Sequence, residues 1–137
     1  YHYPLDSSCN KYMDDTVYAN SCKASMSMFS AASAGFFEEY LYNHFDRYHE
    51  YKEGFTDEQI FKTIDIALKG RDISKIKKDF ELFLNSREAK DTINTHIEFA
   101  EKLKIEATPT IYIAGRKIVG VPPKEFISAI IEKELSK

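Results

Sequence analysis

The residues of this chain that could do chemistry are two cysteines, one proline corner and four histidines. Cys9 and Cys22 stand 13 positions apart, the first in a turn-rich segment and the second early in a helical pattern. Two readings fit that pair. A disulfide closing so short a loop would staple the segment and contribute roughly 3 kcal/mol by chain-entropy arguments. Alternatively the pair is redox-active and relays electrons to another dithiol, a reading favoured by the lowered pKa of a thiol near a helix N-terminus. The spacing is not Cys-x-x-Cys, so no primary oxidoreductase centre is expected there. Thr108-Pro109 stands before a short apolar strand, and its setting predicts a cis bond. Such a bond would turn the N–H and C=O of Thr108 outward, where an extended peptide could pair with them. His2, His44, His49 and His96 are scattered without ligand spacing, so they read as surface or partly packed residues, and no metal site is expected. No Ser-His-Asp order, phosphate loop or glycine fingerprint occurs.

The elements that must position these residues follow from periodicity and punctuation. Tyr1 to Leu5 reads as the tail of a strand, stopped by Pro4 and by Asp6-Ser7-Ser8. Residues 6 to 15 carry turn formers. Asn20 or Ser21 caps a helix running to about Ser33, and Gly35 breaks or bends it. Phe36 to Glu50 continues as an aromatic helix ended by Gly54, with Phe37, Leu41 and Phe45 recurring every four residues on one face. The aromatic run as far as Tyr51 is read as core and interface packing, with a binding face as the alternative. Thr56-Asp57-Glu58-Gln59 matches a capping box, followed by the stripe Ile60, Ile64, Ala67 and Leu68 and a stop at Gly70. Ile73, Ile76, Phe80 and Phe83 trace a further helix, and the charges of residues 69 to 81 form its solvated face. Ser86 caps the next, which turns Ile93, Ile97 and Ala100 inward. A hairpin with an Ala114-Gly115 turn comes next. A last helix, opened by Pro122-Pro123, is expected to bury Phe126, Ile127, Ile130 and Ile131.

Composition bounds the class. The chain has 137 residues and 43% hydrophobic content, enough for one domain with a core. Net charge is −3 and the pI is about 5.8, which leaves no basic footprint for nucleic acid. No apolar run approaches the ~18 residues of a membrane span. Residue 1 is Tyr and no signal peptide is visible, so the expectation is a processed, trimmed or excised piece. Two cysteines close in sequence fit one disulfide and an oxidising location, with two free thiols as the alternative.

Three blocks resemble one family. Tyr3-Pro4-Leu5-Asp6-Ser7-Ser8-Cys9-Asn10 is similar to a segment that ends the second strand in the DsbA-like branch of the thioredoxin superfamily. Cys22-Lys23-Ala24, with its Ala-rich helix and Gly35-Phe36-Phe37-Glu38-Glu39, resembles the helix that follows. IEATPTIYIAGRKIVG (105–120) with PPKEFISAII (122–131) resembles the proline-cornered hairpin and final helix. Within that branch the chain most resembles the bacterial extracytoplasmic proteins whose thioredoxin domain is joined in some members to a vitamin K epoxide reductase-like membrane domain.

The resemblance implies an α/β, thioredoxin-like fold whose C-terminal ββα half is present and whose first strand is missing from the chain. It implies one domain over 1–137, with a strand remnant at 1–5, a helical insertion at 15–104 and the hairpin and final helix at 107–137. By position, Thr108 and Pro109 would be the substrate-binding corner, and Cys9 and Cys22 the subgroup's auxiliary pair. No residue here matches the nucleophilic Cys-x-x-Cys, so no catalytic residue is expected within the chain, and no cofactor is implied.

The implied function is a thiol–disulfide oxidoreductase domain acting on extracytoplasmic protein substrates, periplasmic or secreted, with membrane tethering and a membrane redox partner as open options. Without the first strand, Tyr1–Leu5 could not reach the hairpin. Preceding residues, or a strand donated by another segment or chain, would fill the gap; otherwise a sheet edge is expected to stay unpaired. The rival function is a non-catalytic thioredoxin-like module that has lost its redox centre and holds a protein partner. A helical interaction domain with an incidental hairpin is a third option, favoured by a trans Pro109.

Overall fold

A computed structural model describes residues 1–50, 55–69, 71 and 73–137. Gly54, Gly70 and Tyr51 lie outside the described residues, and so does the side chain of Ile73. The chain divides into two compact units, Tyr1–Phe99 and Ala100–Lys137.

The first unit opens with an irregular segment held by side chains. Tyr1–Leu5 is not a strand, contrary to the sequence expectation, because no strand among the described residues pairs with it. Its carbonyls go elsewhere: Asn10 Nδ2 donates to Pro4 O at 2.9 Å, and the N–H groups of Val17 and Tyr18 donate to Leu5 O at 2.9 and 3.0 Å. Turns fill the segment up to residue 20. Asn20, at φ 63°, then starts helix α1 (Ser21–Ser33) without a side-chain cap. Helix α2 (Phe37–Asp46) follows Gly35, whose φ of 83° suits a residue without Cβ. A 3₁₀ turn (Tyr48–Glu50) extends it. Helix α3 (Asp57–Ala67) begins at a complete capping box, with Thr56 Oγ1 accepting from Gln59 N and Gln59 Oε1 from Thr56 N. Helices α4 (Ile73–Leu84) and α5 (Arg87–Lys102) complete the run, the second capped by Ser86 Oγ on Ala89 N at 3.0 Å.

Helix α1 packs on α2 and α4, and α2 packs on α3. Their core holds Met28, Ala31, Phe36, Tyr40, Ile60, Ile64, Leu68, Phe80 and Leu84. Phe36, Tyr40 and Phe80 gather with centroids 5.9 to 6.1 Å apart. Small side chains on α1 let α2 approach, and the buried hydroxyls of Ser27 and Ser30 are hydrogen-bonded. Ser27 Oγ donates to Ala24 O at 2.7 Å and accepts from Tyr40 Oη at 2.9 Å.

The inward stripe of α2 differs from the sequence expectation. Phe36, Tyr40 and His44 are buried, whereas Phe45 is 62% exposed and Phe37 only partly covered. Two four-residue periodicities run through this helix one position apart. The packing of Tyr40 onto Ser27 and Phe80 selects the one that ends in His44.

The second unit carries the hairpin. Strand β1 (Thr110–Ile113) pairs antiparallel with β2 (Arg116–Val119), matching Ile113 to Arg116 and Thr110 to Val119. The two-residue turn Ala114-Gly115 has both φ positive, 50° and 74°, as a twisted hairpin requires. Helix α6 (Lys124–Leu135) follows Pro123. Of its expected inward residues only Ile130 is buried, while Phe126 and Ile131 are exposed.

Candidate functional site

Cys9 and Cys22 are joined by a disulfide, S–S 2.07 Å and Cα–Cα 6.0 Å. Cys22 is the second residue of α1 and is buried, while Cys9 is half-buried in the turn before it. The pair is held by a network centred on Asp6, itself almost fully buried. Asp6 Oδ1 accepts from Ser8 N at 3.0 Å and from Thr16 Oγ1 at 3.3 Å, and Asp6 O accepts from the N–H groups of Cys9 and Asn10. Burial alone would raise the Asp6 pKa. Hydrogen bonding from Ser8, the Cys22 backbone and Thr16 outweighs it and holds the carboxyl below its ordinary value. Ser8 Oγ donates to Cys22 Sγ at 3.4 Å. The Asp6 carbonyl, 3.5 Å from the same sulfur, is only a contact, because a disulfide sulfur carries no proton.

Thr108 and Pro109 are exposed in the second unit, and their peptide bond is cis. Pro109 O accepts from Gly120 N at 2.8 Å, which closes the base of the hairpin. Thr110 Oγ1 donates to Ala107 O at 2.6 Å and fixes the approach to the strand. The Ile113–Arg116 pair closes the turn with reciprocal hydrogen bonds, so alternation points the backbone groups of Thr110 and Tyr112 to the outer edge. Among the described residues no strand pairs with that edge. The cysteine pair and the proline corner lie in different units.

The histidines are not scattered as uniformly as the sequence implied. His2 N donates to His96 Nδ1 at 3.2 Å, which leaves the proton of neutral His96 on Nε2. Phe29 meets both rings at 4.9 Å, and Tyr1 stacks on Phe99. Burial, first among the causes, lowers the His2 pKa to about 4. His44 stacks on Phe55 at 4.0 Å, and among the described residues its buried Nδ1 has no hydrogen-bond partner. Burial, then the His2 charge, lowers its pKa to about 4. Both rings are therefore neutral near pH 7, while His49 is exposed. Among the described residues no three His, Cys, Asp or Glu side chains converge as a metal set.

Sequence reasoning missed Asp6 as the hub of the cysteine loop. Its signal was the Asp6-Ser7-Ser8 turn, which favours an aspartate carboxylate accepting from the backbone two residues on.

The disulfide-bearing loop, the helical segment and the proline-cornered hairpin define a thioredoxin-like architecture with a helical insertion. The sequence model of the thioredoxin family matches residues 9–133, and the chain belongs to that family. Among curated proteins it is similar to a probable disulfide bond formation protein D of Bacillus anthracis, 29% identical over 86 residues. It is 27% identical over 86 residues to the protein of the same description in Bacillus cereus. Both matches cover 63% of this chain and 37% of the relative. No solved structure matches significantly. Among the described residues no helix is long and apolar enough to cross a membrane.

Proposed function

We propose that this chain is the substrate-holding and helical portion of a DsbA-type thiol–disulfide oxidoreductase that exchanges disulfides with extracytoplasmic proteins. The observation that carries the reading is the family match over 9–133, together with similarity to proteins described as forming disulfide bonds. The chain contains two cysteines and no Cys-x-x-Cys, so the reading assigns the catalytic pair to residues beyond this sequence. There a thiolate would attack a substrate disulfide, or a dithiol would surrender its electrons, through a mixed disulfide. Thr108 and Pro109, with the outer edge of β1, would align the partner chain by main-chain pairing. In this reading 1–137 form one domain lacking its N-terminal strand–helix unit. A membrane redox partner, a periplasmic or secreted setting and a donated strand belong to the same proposal.

Cys9 and Cys22 are assigned a bracing role. Cys22 is buried and Ser8 Oγ donates to its sulfur, so the bond sits inside the hydrogen-bonded loop, as a staple does.

The rival reading is a binding module without redox chemistry, favoured by the exposed aromatic residues of α2. Substitution of Thr108→Arg in the complete polypeptide separates substrate alignment from chemistry. The expected result is a mixed disulfide with a reduced peptide substrate that forms at least about tenfold less, a loss of 1.4 kcal/mol or more. An unchanged yield and lifetime would remove Thr108 from the substrate corner.

A further inference from the structure

The outward face of α2 has no role in the oxidoreductase reading. Its inward residues are Phe36, Tyr40 and His44. Glu38, Tyr42, Phe45 and Asp46 follow the spacing i, i+4, i+7, i+8 and share the opposite arc. Tyr42 is 68% exposed and Phe45 62%, and Tyr48 in the following turn is 54% exposed. A single exposed aromatic is ordinary, but three within two turns expose more ring surface than scattered apolar residues do.

The charges on this arc are of one sign. Glu38 and Asp46 make no ion pair among the described residues. Their neighbours differ: Glu39 takes Arg71 at 2.9 Å, and Arg47, itself buried, pairs with the exposed Glu50 at 2.7 Å. Two unclaimed carboxylates beside two aromatic rings suit a cation, which gains both charge-assisted hydrogen bonds and ring-face attraction. A second copy of this chain is a poor occupant, because a two-fold contact would set carboxylates against carboxylates. An anionic lipid surface is repelled for the same reason.

We propose that the Glu38–Tyr42–Phe45–Asp46 face docks an amphipathic, Lys- or Arg-bearing segment of a partner protein. Apolar side chains of the segment would cover Tyr42 and Phe45, and its cations would pair with Glu38 and Asp46.

The test is fluorescence anisotropy of a labelled amphipathic Leu/Arg helical peptide on the full chain, with a Leu/Glu peptide as control. The Leu/Arg peptide is expected to bind, at least about tenfold more weakly to Y42A/F45A. E38Q/D46N is expected to weaken binding and flatten its salt dependence. Tyr18→Ala, at an exposed aromatic elsewhere, is expected to change nothing. Equal binding by wild type and Y42A/F45A would overturn the proposal, as would binding of the Leu/Glu peptide. Self-association that disappears in Y42A/F45A would also overturn it, by showing that a second copy is the occupant.

Discussion

Burial acts on Asp6 and His44 with opposite outcomes because only one of them is well supplied with partners. Donors surround the Asp6 carboxylate and hold its pKa down, so its contribution to stability is present above the ordinary carboxylate range and lost as pH falls through it. His44 stacks on Phe55 with no partner for Nδ1 among the described residues, so its charged form is penalised in the fold. Its folded pKa of about 4 lies below the ordinary 6.5. Between those values the unfolded chain binds the proton and the folded chain does not. Stability therefore falls as pH drops from 6.5 towards 4, and the His44 term levels off below that. In urea unfolding, the wild type is expected to lose about 2–3 kcal/mol more than His44→Phe between pH 7 and pH 4.5. Parallel pH profiles for the two proteins would contradict this account of His44.

At the scale of elements, the parts legible in the sequence were those written in local chemistry. The Thr56 capping box, the Ser86 cap, the Gly35 break and the Ala114-Gly115 turn each rest on a few adjacent residues, and each is present. The stripe Ile60, Ile64 and Leu68 was equally plain, since no competing apolar register overlaps it. Helix α2 was ambiguous because aromatic residues occupy two adjacent registers, and tertiary packing on Ser27 and Phe80 decided between them. Tyr1–Leu5 has strand-like composition, but a strand exists only through a neighbour, which local sequence does not supply. The loop from Asp6 to Asn20 shows how a disulfide and side-chain hydrogen bonds replace regular structure. Reducing Cys9–Cys22 is expected to cost roughly 3 kcal/mol of stability, by release of the short loop. Paired urea titrations with and without dithiothreitol measure it. An unchanged midpoint would show that the Asp6 network holds the loop unaided.

Across the whole molecule, the candidate site was legible in part. The cysteine pair and Thr108-Pro109 stand out by residue type. The Asp6 hub depends on which turn residues fold back onto one carboxylate, and the exposed arc of α2 on which of two registers packs inward. Family membership follows from the match over 9–133, while the redox chemistry proposed for the complete protein rests on residues other than those of this chain.

Turnover of thiol–disulfide exchange by the complete polypeptide is the most direct measurement of that central claim. Its substrates are a reduced, unfolded protein and a disulfide-bonded one. The expected result is catalysed oxidation or reduction that alkylation of free thiols abolishes and Thr108→Arg impairs. Retained peptide binding at the β1 edge with no exchange above the uncatalysed rate would contradict it, and would leave a binding module in place of an enzyme.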